Sequence, residues 1–107
     1  MEDFFKHQSC SITICDKQGI VLYMNERAVN TFGDKRGENL YACHPPHAIA
    51  KINQMLLDGS DNCYTIEKNG VKKMIFQTPW KNNEGEICGL IEYSFVIPFE
   101  MPHYVRK

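Results

Sequence analysis

The last third of this chain constrains its fold most strongly, because three β-type runs follow one another there with turn chemistry between them. NCYTIEK (62–68) runs into Asn69-Gly70, a dipeptide that readily takes the positive φ angles of a tight hairpin. VKKMIFQTPW (71–80) returns, NNEG (82–85) supplies a second turn, and EICGLIEYSFVI (86–97) reads as a long final strand. Consecutive hairpins commit this part to an antiparallel sheet. The front of the chain offers two further strands. SITICD (11–16) alternates polar and apolar residues, with Ile12 and Ile14 on one face. DKQG (16–19) is turn chemistry, and IVLYM (20–24) is rich in β-branched and aromatic residues.

Helical signals occupy the middle. Asn25 reads as the N-cap of a short helix over ERAVNTF (26–32), predicted to bury Ala28, Val29 and Phe32 before Gly33 ends it. A polar turn follows over 34–37, then a single helical turn over 38–43. Proline is tolerated in the first turn of a helix, so the longest helix is predicted to start near Pro46 and to close at Gly59. Ile49, Ile52, Met55 and Leu56 form its buried stripe. Strands at both ends and helices between them predict an α+β domain, a five-stranded antiparallel sheet with helices packed over one face. A hollow is expected between the long helix and the sheet, near the double-proline corner. Residues 11–98 make the domain. Residues 1–10 are read as a flanking segment, a helical turn or two anchored by Phe4 and Phe5, and 99–107 as a tail.

With 107 residues, folding buries roughly 65% of the unfolded chain's surface, enough for a core without staples. A composition of 43% hydrophobic and 23% charged residues argues against disorder and against a coiled coil. Twelve basic against thirteen acidic residues give a net charge of −1, so neither nucleic acid nor an anionic membrane is expected as primary partner. No apolar run approaches the roughly 20 residues of a membrane span. The acidic start, Met1-Glu2-Asp3, lacks the basic opening of a signal peptide, so the chain is expected in the cytoplasm. Five cysteines, at 10, 15, 43, 63 and 88, are odd in number and form no CxxC pair. They read as free thiols in a reducing compartment.

The strand ITICD, the turn DKQG, the strand IVLYMN and the helix ERAVNTFG together resemble the opening of a PAS domain. NNEGEICGLIEYSF resembles the last hairpin of that family, so the likeness runs from Ser11 to about Ile97. The block GENLYACHPPHAIAKINQML is similar to a PAS subgroup with a CHPP element before the long helix. The resemblance implies a sensory module, not an enzyme, that binds a ligand or a partner; the flanking Phe4, Phe5, Phe99, Met101, His103 and Tyr104 point to pairing with a second copy.

Cys43-His44-Pro45-Pro46-His47 is the segment richest in chemistry. Thiolate and imidazole both bind iron and zinc, and His44 and His47 stand three residues apart. In haem-binding PAS domains the axial histidine lies on or beside the long helix. The resemblance therefore makes His44 or His47 a candidate ligand of haem b, held noncovalently because no CxxCH is present. The same two histidines are candidates for a structural metal. In the bland alternative His47 is an exposed first-turn residue and His44 bonds to backbone. A nucleophilic Cys43 activated by a histidine is a further alternative, without an evident orienting group or oxyanion hole. The candidate binding set is Cys43, His44, His47, Ile52, Met55, Leu56, Phe76 and Tyr93, around haem or an unidentified small ligand. Asn25, Gln77, Thr78 and Glu92 are the polar groups that could converge on the cavity. Pro79 beside Trp80 marks a sheet edge or a bulge.

Overall fold

The computed structural model describes residues 3–107, with Cys43 described through its backbone alone. Eight elements follow the anticipated order. Strands β1 (Ser11–Asp16) and β2 (Val21–Met24) precede helix α1 (Glu26–Phe32), a 3-10 turn (Leu40–Cys43) and helix α2 (Pro46–Asp58). Strands β3 (Asn62–Lys68), β4 (Val71–Lys81) and β5 (Ile87–Ile97) complete the chain. All neighbours are antiparallel, in the spatial order β2-β1-β5-β4-β3, so first and last strands meet at the centre. Asn69 and Gly70 both take left-handed φ angles, 54° and 76°, as a two-residue hairpin linking right-twisted strands requires.

Pro79 occupies a long strand because β3 stops short of it. The β3–β4 ladder begins at the Asn62–Gln77 pair, so residues 78–81 of β4 lie on a local edge where a missing N–H costs nothing. A bulge follows between Trp80 and Lys81. The Trp80 indole crosses its partner Gly89 and donates to the Cys15 carbonyl of β1, 2.9 Å away. A Cβ at Gly89 would collide with that carbonyl and with the indole nitrogen. A glycine is therefore obligatory there.

Two clusters make the core. Ile52 and Met55 of α2 pack on Cys15 and Leu90 of the sheet, and Val21 and Met24 pack on Ala28 of α1. Leu40, from the 3-10 turn, touches both. Phe32 departs from expectation: the end of α1 lifts from the sheet and leaves its ring 45% exposed. Residues 3–10 also depart from it, forming turns in which Phe4 and Phe5 face solvent.

Asn25 holds that segment to the domain. It is fully buried and uses its whole side chain. Oδ1 accepts from the N–H groups of Ile12 and Ala28, at 3.0 and 3.1 Å. Nδ2 donates to the carbonyls of Phe5 and Cys10, at 2.9 and 2.8 Å. Replacing Asn25 by alanine strands four backbone groups at about 1–3 kcal/mol each, less whatever water recovers. Asn25→Ala is expected to cost about 3–5 kcal/mol in urea unfolding, a large share of the stability of a domain this size. Asn25→Asp keeps the acceptor, loses both donors and sets a carboxylate against two carbonyls. Its deficit should be large at pH 7 and shrink toward pH 4, where the carboxyl protonates and donates once; a loss below about 1 kcal/mol for either variant refutes the assignment.

Candidate functional site

Strand alternation decides what the helices see. Thr13 lies opposite Glu92, Glu92 opposite Gln77, and Gln77 opposite Asn62, so these four polar residues share the face under α2. They form a stripe across β1, β5, β4 and β3. Asn62 Nδ2 donates to Gln77 Oε1 at 3.1 Å, and Gln77 Nε2 donates to Glu92 Oε1 at 2.9 Å. A carboxylate at the end of the chain can only accept, which fixes the orientation of both amides.

Above the stripe lie two pockets of about 260 Å³ each, the first and second lobes of a cleft, and a small pocket of about 10 Å³, the neck, that shares lining residues with both. The first lobe lies between Val21, Met24, Phe32 and Leu40, over Thr13 and Glu92. The second lies between His47, Lys51 and Ile52 of α2 and Asn62, Tyr64 and Gln77 of the sheet. His44 lines both lobes and the neck. At the first lobe's mouth the Lys73 ammonium stands 5.9 Å from the centre of the Phe32 ring, a cation–π contact between β4 and α1.

The position of His44 is set from the DKQG turn outward. Asp16 Oδ1 accepts from the N–H groups of Gln18 and Ile20 and closes that turn. Gly19, at φ 84°, receives the Tyr41 ring so closely that a Cβ there would stand 2.8 Å from it. Leu40 N–H donates to the Gly19 carbonyl at 2.8 Å, and Asn39 Oδ1 caps the 3-10 turn at Tyr41 N–H. His44 ends this turn, with Nδ1 2.7 Å from the Leu40 carbonyl. A carbonyl only accepts, so Nδ1 carries the proton of the neutral ring and Nε2 keeps its lone pair.

Of the residues anticipated for binding, His44 and Ile52 line the cavity, and His47, exposed in the first turn of α2, borders the second lobe. Met55 and Leu56 belong to the core and do not line either lobe. Phe76 and Tyr93 lie opposite each other on the far face of the sheet, with ring centres 6.1 Å apart. That placement corrects the expectation for both, because neighbouring strand residues point to opposite faces and here the polar set faces inward. Gln77 and Glu92 do reach the cavity. Asn25 serves the N-terminal anchor instead, and Thr78, also on the far face, donates to Asp61. The side chain of Cys43 lies outside the described residues. Among the described residues no three His, Cys, Asp or Glu side chains gather as a metal site. Thr13, Asn62 and Tyr64 were missed, although polar residues in register across central strands signal a pocket needing partners.

No protein-family model and no curated protein matches the chain. Solved structures do. A PAS domain from Colwellia psychrerythraea superposes with a TM-score of 0.68 at 16% identity, over 87% of this chain and 90% of that one. The chain has the PAS fold. The Aer2 receptor of Vibrio cholerae, described as a dual PAS-heme oxygen sensor, matches with a TM-score of 0.66 at 15% identity, over 84% of this chain and 96% of that one. The Vibrio cholerae protein VqmA, solved as a ligand–DNA complex, matches with a TM-score of 0.70 at 18% identity, over 87% of this chain and 48% of that one.

Within this PAS fold, the cysteine packed under α2 is the reverse of a reactive thiol. Burial pushes Cys15 up to about 11, against an ordinary value of 9.0. The folded state keeps its proton while the unfolded thiol ionises, so this group's contribution to stability falls as pH rises from about 9 to about 11. Iodoacetamide at pH 8 should modify exposed Cys63 and leave Cys15 intact in the native protein. A Cys15→Val variant should show a flatter loss of stability across that alkaline window. Rapid native labelling of Cys15 would overturn this reading.

Proposed function

We propose that this PAS domain is a sensory module, not an enzyme, that takes a small molecule into the cleft between the helical segments and the sheet. The observation that supports it is the stripe Asn62-Gln77-Glu92-Thr13. An isolated core would be cheaper to fill with aliphatic residues, whereas polar groups lining a hollow provide orientation and specificity to a guest. Single-ring fragments titrated into ¹⁵N-labelled protein are expected to shift the amides of Thr13, Val21, Leu40 and Glu92. Thr13→Phe, which sends a ring into the first lobe, should suppress those shifts. A fragment library with no responder in either lobe would refute the reading.

Haem is the second reading, favoured by one observation. The proton on His44 Nδ1, held by a backbone carbonyl, is the second-shell arrangement that orients a metal-binding imidazole through Nε2. The dimensions oppose it, since a porphyrin exceeds either lobe and the neck between them is about 10 Å³. Hemin titration is expected to give no stoichiometric Soret band dependent on His44. A band lost in His44→Ala would install haem in place of the smaller ligand.

Signalling through self-association and a partner domain completes the proposal. Phe4, Phe5, Phe99, Met101 and Tyr104 are each more than half exposed, and the far face of the sheet carries Phe76, Tyr93 and Phe95. Such apolar groups favour an isologous pairing of two copies. We place the module in the reducing cytoplasm, an assignment supported by its free thiols. No helix among the described residues is long and apolar enough to cross a membrane. Sedimentation velocity should show a dimer at tens of micromolar that Phe4→Ser/Phe5→Ser weakens; a monomer at high micromolar concentration would remove the pairing.

A further inference from the structure

The first lobe displays acceptors. Glu92 is half-buried on the central strand, and of the roughly four hydrogen bonds its carboxylate can accept, Gln77 supplies one. No lysine, arginine or histidine among the described residues forms an ion pair with it. Gln77 gives one N–H of Nε2 to Glu92, accepts from Asn62 through Oε1, and lines the neck and the second lobe, not the first. The neutral His44 ring adds a second acceptor, because its one N–H is Nδ1, which donates to the Leu40 carbonyl, and Nε2 keeps its lone pair. Opposite these two groups the walls are apolar, made by Val21, Met24 and Leu40.

We propose, building on the reading of this cavity as a ligand pocket, that its ligand is a single-ring molecule bearing a hydrogen-bond donor. An amine, amidine or ring N–H, neutral or cationic, is set against Glu92 and His44, with the ring's carbon edge toward Met24 and Leu40. Three observations converge on donors. The free carboxylate oxygen loses water when a guest enters and needs a replacement donor, since an unpaired buried charge is costly. The bare imidazole nitrogen asks for the same group. An anionic guest would be brought against Glu92 with like charge at reduced dielectric, while of the two ammonium groups near the lobe Lys35 shares it with the acidic Glu38 and Lys73 lies over the Phe32 ring. Size follows from the lobe: about 260 Å³ lies below the usual range of roughly 300–1,000 Å³ for drug-sized ligands, so one ring fits and a fused polycycle does not.

Benzamidine, benzoate and toluene share one ring and differ in what they present to Glu92, so they separate the possibilities. Calorimetry with the intact chain, with sites located by amide shifts at Thr13, Leu40 and Glu92, is expected to rank benzamidine at least tenfold tighter than benzoate. Glu92→Gln preserves an oxygen to accept from Gln77 Nε2 and should unfold at a temperature close to that of the parent. In it, benzamidine should weaken tenfold or more while benzoate holds or improves. Benzoate equal to or tighter than benzamidine in the parent protein would overturn the donor assignment. Toluene binding alone in the lobe would also overturn it and leave the pocket standing. Failure of all three to bind would overturn the donor assignment together with the pocket.

Discussion

One buried amide determines where this domain begins. Asn25 sits between β2 and α1 and makes four hydrogen bonds at once, to the strand beside it, to the first turn of the helix and to two carbonyls of residues 3–10. No other side chain of that size offers two donors and a two-lone-pair acceptor in one plane. Its backbone takes part as well, since Asn25 N–H donates to the Ile12 carbonyl and the neighbouring Glu26 N–H donates to Lys6. Because β1 is a central strand, paired with β2 on one side and β5 on the other, anything that fixes β1 against α1 also fixes the floor of the cavity.

The cavity itself follows from a division of labour between strand faces. Toward the helices the sheet shows Cys15 and Leu90 where α2 packs directly, and Thr13, Glu92, Gln77 and Asn62 where the pockets intervene. Away from the helices it shows Tyr93 stacked on Phe95, with Phe76 beside them. The core is therefore small and divided between the α2 cluster and the cluster of Val21, Met24 and Ala28. Ile52 and Met55 close the first, while the 3-10 turn and the end of α1 bridge the remainder without filling it. A polar stripe cannot collapse onto aliphatic residues without losing its hydrogen bonds, so the hollow resists being packed shut.

Most of the architecture was legible because local signals agreed with one another. Asn69-Gly70 and DKQG placed two hairpins, Asn25 and Gly33 bracketed α1, and Pro46 and Gly59 bracketed α2. His44 was legible as well, from the crowding of imidazole and proline beside a helix start. The facing of the sheet was not. Alternation in β4 and β5 reads equally well with Phe76 and Tyr93 inside or with Gln77 and Glu92 inside, since a period of two carries no label for which face a helix covers. Hydrophobicity suggests the aromatic set, and long-range pairing chose the polar one. The exposed Phe32 has a similar cause. The sequence shows an apolar residue in register with Ala28 and Val29, but contact with Lys73 across the cavity mouth, not burial, positions the ring.

The two themes meet within three residues. Met24 lines the first lobe and is followed at once by Asn25, while Thr13, on the lobe's floor, is preceded by Ile12, whose N–H binds Asn25 Oδ1. The lobe's wall and its floor thus flank the same buried amide from two sides. The groups held by that amide on its outer side are the Phe5 and Cys10 carbonyls, in the segment that displays Phe4 and Phe5 to solvent. Hydrogen bonds of 2.8–3.1 Å around a buried amide tolerate little displacement before they break, so the Met24 wall, the Thr13 floor and the N-terminal segment are tied to one mutual geometry.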